Sequence, residues 1–239
     1  MNRTKLESAR LEMAGLFLAW AGTYAWLLVS GRYQIFLRPG FWILLLLALC
    51  ISFAFLIAVL FRARPAGHVA SGATLWIRLG VLLLPLFYLL LAQDEPLGSH
   101  AFKSRSIAPA FSRALTRSKA SKGISKDGKV TLLDILQDFK EYRGKRIVTE
   151  GMVYRDEVVP ARHFLVFRFF IVCCAADALP AGALVAYDKA DSFEVDSWVR
   201  VEGILGLKVV EGLPFPCVDA EKIITIDTPK LPYLYPGLF

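Results

Sequence analysis

The chain has 239 residues, enough for one large domain or two small ones, but 56% of them are hydrophobic and the mean hydropathy is +0.49. That balance is too apolar for an ordinary soluble protein and places the chain among membrane proteins. The net charge of +7 lies almost wholly before Gln93, with eight Lys/Arg against Glu7 and Glu12, whereas twenty basic residues face nineteen acidic ones from Gln93 onward. The excess therefore reads as a membrane-topology signal and excludes a nucleic-acid footprint.

Three segments are apolar over about 20 residues, the length a helix needs to cross a bilayer. They are Leu11 to Ser30, Phe41 to Phe61 without any charge, and Thr74 to Ala92, where Arg78 lies close enough to one end to snorkel. A secretory signal peptide is the rival reading of the first, but its apolar run is longer than a signal core and no A-x-A-like site follows. Arg3, Lys5 and Arg10 precede the first span and Arg62, Arg64 and Arg78 follow the second, against Arg32 and Arg38 between them. The expected topology is a cytoplasmic N-terminus, three spans in the lipid bilayer over residues 1–95, and an extracytoplasmic C-terminal part. Glu12, Asp94 and Glu95 mark span edges, and His68 and His100 are loop histidines.

Residues 96–129, "PLGSHAFKSRSIAPAFSRALTRSKASKGISKDGK", carry eight basic residues from Lys103 to Lys129 against Asp127 alone. Such a segment buries too little apolar surface to offset its ordering entropy and reads as a basic tether. In "VTLLDILQDFKEYRG", apolar residues recur every three or four positions from Leu132 to Tyr142. Thr131 and Asp134 form a capping pair and Gly144 is a stop, which predicts one amphipathic helix.

The period then changes to that of strands. Lys145 to Arg155, His163 to Cys174, Gly182 to Asp188, Ser197 to Val209 and Glu221 to Thr228 are β-branched or aromatic runs separated by Gly, Pro and Asp. The first and fourth echo each other, "IVTEGMV" and "VRVEGIL", and place Gly151 and Gly203 mid-strand, where a bend or bulge of a closing sheet needs them. Five short strands predict a small barrel of the oligonucleotide/oligosaccharide-binding type, the OB-fold, over an immunoglobulin-like sandwich of seven. The fold class is therefore α+β: three transmembrane helices, then a domain over residues 130–239 in which one leading helix precedes an OB-like β-barrel.

The chemistry-bearing residues are few. Cys173 and Cys174 end the second strand run, and Cys217 is the third cysteine outside the membrane spans. Adjacent strand residues face opposite sides, so one of the pair is expected inward and the other beside the turn "AADALP", with Asp177 bonding turn amides. Four readings stay open. They are a disulfide from Cys217 to Cys173 or Cys174, buried free thiols, a metal site of Cys173 and Cys174 with Asp177, His163 or Cys217, and a catalytic thiol. Zinc is the metal such donors would take, although no C-x-x-C pair or paired-histidine spacing supports it, and no cofactor is predicted. Walker loops, nucleophile elbows, metalloprotease helices and dinucleotide fingerprints are all missing from the sequence, so no catalytic residue is assigned.

Three spans followed by "PLGSHAFKSR", "GKRIVTEGMVYR", "FLVFRFFIVCCAADALPAGALV", "DSWVRVEGIL" and "PYLYP" resemble the YcgQ-like family of small bacterial membrane proteins, described as subunits of a two-component permease. "RFFIVCCAADA", Arg168 to Ala178, is the most specific piece. The resemblance implies a non-catalytic accessory subunit beside a separate multi-span permease, its outer domain serving docking or substrate capture. Some members carry a histidine-rich loop that suggests metal handling. Here residues 61–72 offer only His68. The rival class is a membrane-anchored thiol- or metal-dependent sensor or enzyme using Cys173 and Cys174.

Overall fold

The computed structural model describes residues 3–61, 72–91, 96–105, 129–210 and 212–235. His68, Asp94, Glu95 and most of the basic tether lie outside the described residues. The chain divides into two compact units, Met1–Asp94 and Glu95–Phe239.

The first unit is helical. Helix α1 (Arg3–Ser30) ends at Gly31, whose φ of +71° is left-handed backbone that glycine adopts without strain, and two short 3₁₀ turns lead into α2 (Trp42–Phe61). The two helices run back to back. The rings of Phe17 and Phe55 stack at 5.4 Å, and the Arg10 guanidinium donates to the carbonyl of Leu60. Two of their hydroxyls bond within the helix: Thr23 donates to the Ala19 carbonyl and Ser52 to that of Ala48, each at 2.9 Å. Among the described residues, two helices, Arg10–Ser30 and Pro39–Phe61, are long and apolar enough to cross a membrane. Helix α3 (Gly72–Leu91) has 20 residues, but its apolar stretch is the shorter Gly80–Leu89, with Pro85 inside it removing one backbone donor.

The second unit is α+β with a five-stranded sheet. Before the sheet come α4 (Ser99–Arg105), α5 (Leu132–Gln137) and α6 (Phe139–Tyr142). The Thr131–Asp134 capping box forms as expected: the Thr131 Oγ1 accepts the Asp134 N–H and the Asp134 carboxylate accepts the Thr131 N–H. The single expected helix is broken in two at Asp138, whose ψ of 36° leaves the helical region. Gly144, at φ +75°, turns the chain into the first strand.

The strands are β1 (Arg146–Tyr154), β2 (His163–Phe170), β3 (Leu179–Ala186), β4 (Trp198–Val210) and β5 (Leu213–Thr225). Antiparallel pairing joins β1 to β2, β2 to β3, β4 to β5 and β1 to β4. A short parallel junction, Leu184↔Cys217 to Ala186↔Asp219, joins β3 to β5, so the order β1-β2-β3-β5-β4 returns to β1. The last strand begins earlier than its sequence suggests, because Pro214 and Pro216 are tolerated in it. Two residues apart, they turn the same edge outward, and β3 reaches that edge only from Cys217 onward.

Inward residues of all five strands make one core. Val153, Phe164, Val166, Ala183, Val199, Val201, Leu205 and Val218 are fully buried, and Leu132 and Ile135 of α5 pack into it. Both predicted glycines sit at close approaches. A Cβ on Gly151 would lie 2.7 Å from the Phe167 carbonyl oxygen, and one on Gly203 would strike the carbonyl of Asp219. A register shift falls between Glu202 and Gly203, where β5 carries an extra residue. Neither glycine is among those with positive φ, so absence of a side chain, not an unusual backbone, is what these sites require.

A second cluster covers the outer side of the sheet and corrects the tether reading for its first residues. Phe102 of α4 is buried against Tyr154 and Phe167, and Tyr233 and Tyr235 of the C-terminal tail are 1% exposed beside Phe169 and Ile171. The tail is tied on by backbone bonds from Leu234 to Phe169 and from Ile171 to Leu234, with Arg168 Nε donating to the Pro232 carbonyl. Asp196 accepts both the Ser99 amide and its hydroxyl, at 2.6 Å each, and the Tyr233 hydroxyl accepts the Leu97 amide. Isolated in sequence, "PLGSHAFKSR" has one aromatic among polar residues, and nothing local shows that it has a partner.

Candidate functional site

Beyond Phe170 the chain leaves the sheet with Ile171 buried, then exposes Val172 and Cys173, half-buries Cys174, and makes a single 3₁₀ turn, Ala175–Asp177, before β3. Asp177 organises this loop. Its carboxylate accepts the Val172 amide at 3.1 Å and the Cys173 amide at 2.8 Å, and the Cys173 thiol donates to it at 2.8 Å. The Asp177 amide in turn donates to the Cys174 carbonyl. From below, Arg105 of α4 donates to the carbonyls of Ala175 and Ala178 while its guanidinium lies 5.9 Å from the Phe169 ring centroid. Small residues permit this: Ala178 is buried where the loop folds back.

The Sγ atoms of Cys173 and Cys174 stand 3.8 Å apart, and with one Asp177 carboxylate oxygen they form a three-donor group whose atoms all lie within 4.8 Å of one another. The neighbouring Asp177 carboxylate, and next the Cys174 thiol, push the Cys173 thiol up to about 11. Burial raises Asp177, but hydrogen bonds from the Cys173 thiol and from the Cys173 and Val172 amides outweigh it and hold the carboxyl below its ordinary value. The resting loop thus pairs a protonated thiol with an ionised carboxylate.

Neither cysteine of the pair faces the core, contrary to the alternation expected of a strand, because β2 has ended at Phe170 and the pair lies in the loop. Cys217 is elsewhere. It sits in β5 opposite Leu184 and Gly206, buried, with desolvation raising its thiol to about 11. Leu184 is five residues along β3 from Leu179, roughly 16 Å at about 3.3 Å per residue. A disulfide requires Cα atoms about 4.4–6.8 Å apart; the structure places Cys217 beside Leu184, away from the loop of Cys173 and Cys174, and holds all four cysteines as free thiols. His163 is also apart from the cluster: its Nδ1 contacts the Ala161 carbonyl oxygen at 2.7 Å and its Nε2 contacts Lys208 Nζ at 2.6 Å.

Sequence reasoning missed Arg105, which supports the loop from 70 residues away; His100, read as a loop histidine, instead lies in helix α4 and lines an open groove of about 480 Å³ with Lys103, Tyr154 and Asp156. The Tyr154 hydroxyl donates to Asp156 across that groove at 2.8 Å.

What the fold defines is an α+β domain, built on five strands and sealed by its own N- and C-terminal segments, that belongs to a chain with apolar helices of membrane-crossing length. Residues 121–236 match the family described as the DUF1980 C-terminal domain. A curated relative, the UPF0703 protein YcgQ of Bacillus subtilis (strain 168), is 31% identical over 101 residues, a match that spans 41% of this chain and 35% of that protein's length. A solved structure described as an aspartyl-tRNA synthetase from Leishmania major Friedlin is similar at 11% identity and a TM-score of 0.29, over 45% of this chain and 23% of that one. A likeness that distant carries no argument.

Proposed function

We propose that this protein is an accessory, non-catalytic subunit of a membrane permease. In this reading α1, α2 and α3 are three spans of the cell membrane, and an extracytoplasmic OB-type β-barrel docks on the permease or captures substrate for it. The returning strand order with its parallel β3–β5 junction supports the barrel, since closure removes the sheet edges. The Lys/Arg bias of the short loops supports the orientation. Transport paths usually bind substrate at broken helices paired across a repeat. One anchor of a few helices suits attachment to a path better than formation of one.

The observation that carries the reading is the covering of the sheet's outer face by α4 and the tail, with Phe102, Tyr233 and Tyr235 buried there. What the domain presents outward is instead a loop, Val172 to Asp177, with two thiols and a carboxylate. The same loop would serve the rival reading, a thiol- or metal-dependent sensor or enzyme. Affinity purification of the tagged chain from its own membranes in mild detergent, followed by mass spectrometry, tests the choice. A stoichiometric polytopic membrane protein is the expected companion, and recovery of the chain alone overturns the subunit reading. A fluorescent reporter that matures only in the cytoplasm, fused after Phe239, should stay dark, and a bright one reverses the orientation.

A further inference from the structure

We infer that Cys173, Cys174 and Asp177 bind one thiophilic divalent cation of the Zn²⁺ class, and that this ion is what the domain captures. The second clause rests on the permease-subunit reading; the first stands on geometry alone.

Two thiolates about 2.3 Å from a tetrahedral ion stand about 3.8 Å apart, and a thiolate and a carboxylate oxygen at about 2.0 Å stand about 3.5 Å apart. The two sulfurs are already at 3.8 Å. The Cys173 sulfur and the Asp177 oxygen are at 2.8 Å because a thiol proton lies between them. Replacing that proton by the ion requires this pair to open by about 0.7 Å, while the remaining sulfur–oxygen pair already lies within 4.8 Å. Reaction of the ion with two thiols and one carboxylate forms two metal–sulfur bonds and one metal–oxygen bond and releases two protons, without any redox change. The site then carries two thiolates and a carboxylate against a dication, a net single negative charge.

The supports of this site are of the kind that hold a ligand set in place. Both amides bound to Asp177 fix its carboxylate, and Arg105 fixes the carbonyls on either side of the turn while bringing a positive charge toward the loop. Three donors leave a fourth position, and it opens outward, since Cys173 is exposed. Structural zinc sites are closed by four protein ligands. An open three-donor site on a surface loop suits an ion that is taken up and passed on.

The test uses the full chain in detergent micelles, reduced and handled without oxygen, in a Cys50→Ser background. Co²⁺ serves as a spectroscopic probe and Zn²⁺ as its competitor. The expected result is one Co²⁺ per chain with thiolate-to-metal charge transfer for two thiolates, displaced by Zn²⁺. Cys173→Ser and Cys174→Ser should each lower affinity about 100-fold or more and Asp177→Asn about tenfold, while Cys217→Ser, a buried control, leaves binding unchanged. Circular dichroism on each variant separates loss of the site from loss of the fold. No charge-transfer band with the thiols reduced, binding that survives the double serine variant, or a Cys173–Cys174 disulfide in protein taken directly from its membrane would overturn the inference. The subunit reading fails separately: metal binding with no co-purifying permease sinks that reading and leaves the site, and a permease partner without metal binding does the reverse.

Discussion

The ring of Phe102 lies 4.5 Å, centroid to centroid, from that of Phe167, at an interplanar angle of 48°. This contact joins a seven-residue helix that looks in sequence like the start of a tether to the middle of β2. A tilted aromatic pair with both rings buried contributes beyond its area alone. Phe102→Ala should destabilise the second unit by about 2–4 kcal/mol. Denaturant unfolding of the full chain in micelles measures it, and protease cleavage near Arg105 should accelerate in the same variant. An unchanged midpoint would mean that α4 is an ornament on the domain.

Gly203 and Gly206 lie on the same strand and make opposite predictions. A Cβ on Gly203 collides with the Asp219 backbone at the bulge, whereas one on Gly206 meets its nearest heavy atom, the Cys217 carbonyl oxygen, at 3.7 Å. Gly203→Ala is expected to cost more than about 2 kcal/mol, because backbone must shift to admit the methyl, and Gly206→Ala to stay within about 1 kcal/mol. Gly151→Ala should follow Gly203, since its Cβ meets the Phe167 carbonyl oxygen at 2.7 Å and Val166 at 2.8 Å. Thermal melts of the three variants rank them. Equal melting temperatures would refute the close-approach account.

Asp177 controls the reactivity of Cys173. With the carboxylate beside it the thiol is held at about 11, so little thiolate exists near pH 8. Asp177→Asn removes the charge and keeps an acceptor for one of the two amides, which bind different carboxylate oxygens. In chelator-treated protein the alkylation rate of Cys173 at pH 8 should rise about tenfold or more. Peptide mapping by mass spectrometry reads the rate at Cys173 separately from that at Cys174. A rate that does not change would show that the carboxylate does not set the thiol's protonation.

Glu150 accepts from Lys129 Nζ at 2.8 Å and from Arg200 Nε at 2.6 Å. Burial raises its carboxyl, but the two hydrogen-bonded cations outweigh that and hold it below the ordinary value. A carboxyl whose folded pKa is depressed contributes stability that is fully present above its unfolded pKa and is lost as pH falls through the folded one. Stability should therefore decline on acidification below about pH 4.3, the ordinary carboxylate range for glutamate. Glu150→Gln should flatten that decline and cost about 1–3 kcal/mol at neutral pH, where Lys129 and Arg200 lose their partner. Denaturation midpoints at several pH values, for both proteins, decide it.

Much of this protein was determined by periodicity alone. A run such as Trp42 to Phe61 without a charged residue can only be a buried or membrane-crossing helix. Strands β1 to β4 and the end of β5 were recognisable from their β-branched and aromatic runs, and the Thr131–Asp134 cap from a spacing of three, because these signals depend on neighbours within a few positions. The echoed Glu-Gly pairs marked the two glycines that the sheet packs against. Asp177 was recognisable too, as an Asx residue five positions after Val172, whose amide it accepts.

Everything that depends on contacts between distant positions was decided by the tertiary structure. Phe102 reads as a stray aromatic until Phe167 is placed beside it, and Arg105 as one more basic residue until it meets Ala175 and Ala178. Cys217 looked available to the cysteine pair because sequence gives spacing along the chain and not across a sheet. Prolines that read as loop became strand, since an edge needs no donor there, and burying Cys217 opposite Leu184 removed it from the loop. Sequence determined which segments could be helix or strand; the register of β3 against β5 determined that two sulfurs and one carboxylate, not three sulfurs, share the exposed loop.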